Sequence, residues 1–362
     1  GLTQVFQDGD ITGPTIAEVI HGTTIATNAI LEHRGVRTGL ITTEGFRDVL
    51  EIRRLRMPKL YDLTWEKPKP LAARADRAEV IERINHQGDV LTQLDEGTAL
   101  AAIDKLIANG VEAIAVSLIN AYTNDNHESR IGKLIAERAP GLPVCLSSLI
   151  LPEIKEYERT STAVVNAYIL PVVARYLTAL SAALERLSVT APLLVMQSSG
   201  GVMGVDAACL RPIHIIESGP AAGVVGGAEV AAKLGINNVL TFDMGGTTAK
   251  AAIIEDGAFD RVGAMDVGAG INYAARLLKG GGHHVGVPAI DIAEVGAGGG
   301  SMVRIDAGGS LAVGPESAGA VPGPICYGKG GIIPTVTDAN VVLGFVNPNY
   351  LVGGELVLDA KA

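Results

Sequence analysis

Residues 242–250 read Phe-Asp-Met-Gly-Gly-Thr-Thr-Ala-Lys. An apolar strand from Val239 to Phe242 delivers an acid to a Gly-Gly turn, and two hydroxyls and a lysine follow. Each residue type has a use at a triphosphate. Gly245 and Gly246 carry no Cβ, so backbone amides there can approach phosphate oxygens and can take positive φ. Thr247 and Thr248 add hydroxyl donors. Asp243 can hold Mg2+, directly or through water, and Lys250 can neutralise phosphate charge. The spacing is not that of a P-loop, since GxxxxGK[ST] is absent. The same residues also suit a plain β-hairpin with glycines at the turn and threonines in the strands. Local sequence leaves both readings open.

Three more glycine clusters carry possible chemistry. Ser218-Gly219-Pro220-Ala221-Ala222-Gly223 opens a helix, where free amides and the macrodipole favour anions. Close helix–sheet packing through small residues is the alternative. Gly296-Ala297-Gly298-Gly299-Gly300-Ser301 follows an apolar strand. It can let an adenine or a phosphate touch backbone, or serve only as a turn. Gly280-Gly281-Gly282-His283-His284 reads as a mobile loop, because adjacent histidines in a strand point apart and make a poor metal pair. Near the front, His21-Gly22-Thr23-Thr24 with Thr27 and Asn28 is dense in hydrogen-bonding groups. It reads either as a capped helix start or as a ligand loop. Arg53, Arg54 and Arg56 read as a solvated helix end or an anion clamp, and Glu153, Glu156 and Glu158 as a solvated face.

The elements that must position these residues alternate between strand and helix. Strands are expected near residues 16–20, 37–41, 111–122, 144–146 and 193–202; helices are expected within 21–35, through Ala29, Ile30 and Leu31 and ending near Gly35, and near 42–54, 96–109 and 124–138. Residues 78–95 alternate apolar and polar side chains around Gly88-Asp89 and read as a hairpin. A long amphipathic segment, 154–187, contains Pro171, which is expected to kink or split it. The pattern predicts an α/β protein. Its 362 residues exceed one ordinary core, so two domains are expected, 1–215 and 216–362.

Composition narrows the class. The chain is 48% hydrophobic but only 4% aromatic, so the core must be built from Ala, Val, Leu and Ile. A net charge of −10 excludes a broad basic face for nucleic acid. Cys145, Cys209 and Cys326 are far apart, as free thiols of a reducing compartment would be. No apolar run is expected to reach membrane-spanning length. The first residues lack a basic start followed by an apolar stretch. The expectation is a cytoplasmic protein with no membrane partner.

Eight blocks together resemble the hydantoinase A/oxoprolinase family: HGTTIATNAILEHRG, ITTEGFRDVLEI, LPEIKEYERTSTAVVNAYILPVV, SGPAAGVVGGA, TFDMGGTTAK, VGAGGGSMVRID, VGPESAGAVPGPICYGKGG and PTVTDANVVLG. They run from about residue 20 to residue 345 in order. The resemblance implies an actin/Hsp70/sugar-kinase type of ATPase fold, with two related mixed-sheet domains facing a nucleotide cleft. It implies ATP and Mg2+ as cofactors and phosphorylation of a carbonyl or enol oxygen. The substrate it implies is a cyclic amide such as an N-methylhydantoin or 5-oxoproline, opened by water, often with a B-type partner subunit in an oligomer. Ketone carboxylation is the alternative branch, and a non-catalytic scaffold a third reading. By resemblance, Asp243 to Lys250 would be the phosphate hairpin of the second domain, with Asp243 at the metal and Lys250 at phosphate. Thr23, Thr24 and Asn28 would lie near the cleft in the first domain, and Gly298, Gly299 and Gly300 towards the adenosine; Gly219 and Gly223, at the helix start, are the other candidate nucleotide-binding glycines. Asp338 is a candidate second carboxylate, or a helix N-cap. The family's N-terminal hairpin of DxGGTFTD type has no counterpart before His21, and the sequence stops soon after the TDAN block. The resemblance therefore implies a fold incomplete at both ends.

Overall fold

A computed structural model describes every residue except 1, 10, 55–64, 269–280, 307, 352 and 353. The described residues form two compact units. One runs to Val225 and takes back 260–268 and 281–290; the other comprises Gly226–Phe259 and Asp291–Ala362. A single boundary after residue 215 anticipates neither the returns nor the division inside a helix.

Two sheets of the first unit use β1 (Val19–His21), β2 (Thr38–Thr43), β3 (Arg77–Val80), β4 (Ala113–Ser117), β5 (Val144–Leu146), β6 (Leu193–Met196) and β7 (Val202–Gly204). The helices that cover these sheets include α1 (Ile25–Leu31), α2 (Glu96–Ala108), α3 (Asn126–Arg138) and α4 (Glu156–Arg186), followed by α5 (Ser218–Lys233), which continues into the second unit. Strands β3-β2-β4-β5 make a wholly parallel sheet, and β1-β6-β7 a smaller mixed one.

Both faces of the parallel sheet are covered, which is why β4 reads as an unbroken apolar run. Ile114 and Val116 of β4 join Ala99 and Ile103 of α2 and Ile131 and Ile135 of α3. Ala113 and Ala115 meet Ala163, Val164 and Ala167 of α4 on the opposite face. Another side of α4, through Val165, Ile169, Val173 and Leu177, fills a separate core with Ala26, Ala29 and Ile30 of α1. Each fully buried large aliphatic side chain contributes about 1.5–3 kcal/mol. Asp95 starts α2 by accepting from the amides of Gly97 and Thr98 at 2.8 and 3.1 Å.

Some expectations change here. Helix α4 runs continuously for 31 residues across Pro171. Burial on two sides compensates the hydrogen bond that proline removes. By length and composition α4 could cross a membrane, but half of its most apolar stretch is buried inside the molecule. The 42–54 helix shrinks to Val49–Ile52. Of the 78–95 hairpin, only Arg83–Ile84 and Val90–Thr92 pair antiparallel, while β3 joins the parallel sheet. Of the loop expected at 280–284, His283 and His284 instead lie in the strand His283–Val285, paired with Met265–Val267; Gly280 lies outside the described residues.

In the second unit, β8 (Val239–Met244) and β9 (Ala249–Glu255) form an antiparallel hairpin, and β10 (Ala293–Val295) pairs with the other edge of β9. β11 (Ser301–Ile305) and β12 (Leu311–Ser317) pair with each other. Helix α6 (Val336–Val342) begins at a capping box. Gly227 of α5 lies under Thr241, where a Cβ would come within 2.7 Å of Thr241 Cγ2. That contact demands glycine.

Candidate functional site

Strand β8 ends at Met244 and β9 starts at Ala249, so residues 245–248 form the hairpin tip. The tip is closed by Gly245 N–H donating to Thr248 O at 3.0 Å. The amides of Gly246, Thr247 and Thr248 make no hydrogen bond among the described residues. Asp243, Gly246 and Thr247 are exposed. Neither Gly245 nor Gly246 has positive φ, contrary to expectation, and a Cβ on Gly246 would meet nothing within 4 Å. The fold itself therefore does not need glycine at 246. What remains is open space beside three amides with no hydrogen-bond partner among the described residues, the kind of donor set that anions use.

Three charged residues lie in one row behind this tip. In register, Asp243 of β8 faces Lys250 of β9, which faces Glu294 of β10. Directly opposed residues in antiparallel strands project from the same face. Lys250 Nζ pairs with Glu294 Oε1 at 2.9 Å and reaches Thr248 Oγ1 at 3.3 Å. The Asp243 carboxylate has no hydrogen-bond or ion-pair partner among the described residues, which leaves oxygen donors for a hard cation. No group of three His, Cys, Asp or Glu side chains able to hold a metal occurs among the described residues. The donor set thus fits a Mg2+ that shares its coordination with phosphates and water, and not an all-protein metal cage. Glu294 was not singled out from the sequence. The acid in Ala293-Glu294-Val295, just before the glycine turn, is the signal that register turns into a contact.

Gly298 to Gly300 pack directly on the hairpin tip, but their donors are spent there. Gly299 N–H donates to Gly245 O at 2.9 Å, Gly300 N–H to Gly246 O at 2.7 Å, and Gly298 N–H to Ser301 Oγ at 2.8 Å. A Cβ on Gly298 would lie 2.6 Å from Thr247 N. These glycines brace the tip, and their amides are not available to an adenosine. Thr337 locks the brace, donating to Gly299 O through its amide and its hydroxyl, both at 2.8 Å.

Asp338 is also committed. It stands at the third position of α6, not at the N-cap, which is Thr335. Its carboxylate accepts from Ile325 N, Cys326 N, Thr335 N and Thr335 Oγ1 at 2.8–3.2 Å. Burial pushes its pKa up, but the bonds from Cys326 and Thr335 outweigh burial and hold it below the usual carboxylate range. The geometry makes it a fold-holding acid.

A second cluster belongs to the first unit. Ser218 Oγ accepts from Thr23 N at 2.9 Å and donates to Thr23 O at 2.7 Å, tying the loop after β1 to the start of α5. Gly22 approaches Gly219, where a Cβ would sit 3.4 Å from Gly219 Cα. Asn28 Nδ2 donates to Thr24 Oγ1 at 3.3 Å, and both side chains are exposed. A Cβ on Gly223 would meet nothing within 4 Å. Thr23, Thr24, Asn28, Ser218 and Gly219 therefore do come together. His21 Nε2 lies 2.8 Å from Tyr176 Oη, and burial lowers its pKa.

The arginines and glutamates read as solvated are partly engaged. Arg53 Nε donates to Tyr157 Oη at 3.0 Å and Arg54 Nε to Glu158 Oε1 at 2.8 Å; Arg56 lies outside the described residues. His284 Nδ1 is 3.3 Å from Asp266 Oδ1, whereas burial pushes the neighbouring His283 down to about 4, helped by Arg53 and His33.

Comparison with known proteins places this chain in a family. The hydantoinase/oxoprolinase profile matches residues 159–362, and the profile of the hydantoinase/oxoprolinase N-terminal region matches residues 1–139. The chain is 39% identical over 373 residues to caprolactamase subunit alpha of Pseudomonas jessenii, covering all of this chain and 51% of that one. It is 35% identical over 383 residues to the acetophenone carboxylase gamma subunit of Aromatoleum aromaticum, covering all of this chain and 50% of that one. The crystal structure of the ATP-dependent caprolactamase from Pseudomonas jessenii superposes with a TM-score of 0.79 at 37% identity, over 100% of this chain and 51% of that one. The chain spans about half the length of these relatives. On the profile match over more than half its residues, the chain belongs to the hydantoinase/oxoprolinase family.

Proposed function

We propose that this chain is part of an ATP-dependent cyclic amidase subunit, with the 243–250 hairpin receiving the phosphates. The observation that carries the reading is the open space over Gly246 beside the unpaired amides of residues 246–248. Asp243 would hold a nucleotide-borne Mg2+, and Lys250 would meet phosphate charge. When bound, Mg2+ neutralises charge on the bridging and terminal phosphate oxygens. The two-domain actin/Hsp70/sugar-kinase frame, a B-type partner and a cytoplasmic setting belong to the same proposal.

Cyclic amides resist attack because resonance lowers the electrophilicity of the carbonyl carbon. In the proposed reaction the amide oxygen attacks the γ-phosphorus and ADP departs. Water then adds to the activated carbon, the carbon–nitrogen bond breaks and the ring nitrogen leaves as an amine carrying a proton from that water, which leaves an acyl phosphate. A second water hydrolyses the acyl phosphate to the carboxylate and inorganic phosphate. Phosphoryl transfer needs positioning and charge neutralisation more than a protein nucleophile. That is why glycines, threonines, an acid and a lysine suffice at the tip. A lactam is favoured as the substrate class by the likeness to caprolactamase. The likeness to a carboxylase subunit supports a second reading, ATP-driven activation of a ketone.

The test is ATP turnover by the full-length chain with its partner subunit, with a lactam, a hydantoin, 5-oxoproline, or a ketone plus bicarbonate. Asp243→Asn should cut turnover by about 100-fold or more while circular dichroism stays unchanged. Normal turnover in that variant overturns the hairpin assignment. Stimulation by ketone and bicarbonate alone moves the chain to the carboxylase reading.

A further inference from the structure

We infer that the open face of the β8–β9–β10 sheet is a docking surface for the remainder of a family-length subunit, the part that lies outside these 362 residues. The surface lies on the face opposite the Asp243 side chain, so it stands whether or not the hairpin binds nucleotide.

A sheet is stable when the apolar side chains of a face are buried against another layer. In register, Leu240 faces Ile253, Phe242 faces Ala251, Met244 faces Ala249, and Ala249 faces Val295. Opposed residues, and residues two apart on one strand, project from the same face. On it Leu240, Phe242 and Ile253 are 65%, 64% and 61% exposed, and Met244 and Val295 41% and 46%. The other face of the same strands is covered. Its Ala252 and Ile254 are 4% and 1% exposed, and its Thr241 lies against Gly227 of α5. A scattered exposed apolar residue is ordinary; a set in register on neighbouring strands is a patch that marks an interaction.

Length points to the occupant. The chain matches caprolactamase subunit alpha over its whole extent yet covers 51% of it, and it covers 50% of the acetophenone carboxylase gamma subunit. A family-length subunit thus carries about as many residues again, enough for a covering layer. The chemistry of the face agrees. Every position on it from Leu240 to Met244 and from Ala249 to Ile253 is apolar. A patch with no charge suits permanent packing within one subunit, whereas transient partners meet more polar surfaces. The parallel sheet of the first unit is covered in this way on both faces, by α2 and α3 on one and α4 on the other. Docking would also support the two strands that carry the 245–248 tip.

Thiol labelling of the family-length subunit is the test. Ile253→Cys and Glu137→Cys are made separately, and their maleimide labelling rates are compared after subtracting the parent's. The Glu137 side chain on α3 is 66% exposed, so the two sites are about equally open within these 362 residues. In the family-length subunit Ile253→Cys should label at least about tenfold more slowly, because a covered thiol reacts only when the layer over it opens. In the 362-residue chain alone the two rates should be similar. If Ile253→Cys fails to fold, Leu240→Cys, opposite it in register, carries the test. Equal rates in the family-length subunit overturn the inference. So does slow Ile253→Cys labelling in the 362-residue chain; if the slowness disappears on dilution, the occupant is a second copy. Protection that appears only when a separate partner subunit is added assigns the face to that partner and overturns the inference as well. All rates are read without nucleotide, so failure of the nucleotide reading leaves the test intact.

Discussion

The parallel sheet of the first unit and the β8–β9–β10 sheet of the second are built from similar residues but finish differently. In the first, two carboxylates near the ends of the strands are buried and hydrogen-bonded. Glu128 is fully buried and accepts from Leu118 N, Ser147 Oγ, Ser148 N and Ser148 Oγ at 2.6–2.9 Å. Glu82 is buried with His127, at 2.8 Å from Oε2 to Nδ1. In the second, Leu240, Phe242 and Ile253 stay 65%, 64% and 61% exposed, and the tip amides are unpaired. The first unit spends most such donors inside the fold, although Arg77 Nη1 and Arg159 Nε and Nη1 are buried there without a hydrogen-bond partner. The second leaves three adjacent amides without one among the described residues, over a glycine the fold does not require, which is the room the proposed phosphate site needs.

That contrast breaks most visibly at Glu128. Burial raises its pKa despite the four donors around it. Glu128→Ala strands all four donors in the interior and should destabilise the protein by roughly 3–5 kcal/mol. Urea denaturation followed by circular dichroism measures it. A loss under about 1 kcal/mol would show that water reaches these donors, and the scaffold side of the comparison would fail.

The next largest effect is a pH dependence. His283 has its folded pKa pushed down to about 4 from 6.5. As pH falls below 6.5 the unfolded chain takes up a proton first. Stability present above 6.5 is therefore lost between about 6.5 and 4, by at most about 3 kcal/mol. Denaturation midpoints at pH 7.5 and 4.5 should differ more in the parent than in His283→Gln. Equal slopes would place His283 in contact with water.

The parallel sheet was legible because covered strands need continuous apolar residues: Ala113 to Val116 and the helices of residues 96–108 and 126–138 follow that rule. The hairpin at 239–255 was legible from Gly-Gly between two apolar runs. The roles of its neighbours were not. Gly298 to Gly300 have the composition of a ligand loop, yet close approach to another backbone selects glycine just as strongly. Asp338 sits beside Thr335 in a spacing that suits both a metal acid and a capping box, and only the partners decide. Glu294 became visible through strand register, a long-range property that no local window of sequence contains. Pro171 misled for the converse reason: tertiary burial on two sides of α4 overrode a local breaker.

The smallest predicted effects come from two glycines of the tip, and they sharpen the comparison most. Gly298→Ala places a Cβ 2.6 Å from Thr247 N and 2.7 Å from Gly245 O, both backbone atoms that cannot swing aside. It should destabilise by about 1–3 kcal/mol, as overpacking does. Gly246→Ala has nothing within 4 Å and no positive φ to strain, so its stability should stay within about 0.5 kcal/mol of the parent. Its added methyl nevertheless fills the space beside the three unpaired amides. Fluorescence titration with an ATP analogue should therefore show weaker binding in a protein whose melting temperature has not moved. If Gly246→Ala binds the analogue as the parent does, the open space belongs to solvent. If it melts lower, the tip is packed more tightly than its geometry says, and glycine 246 serves the fold after all.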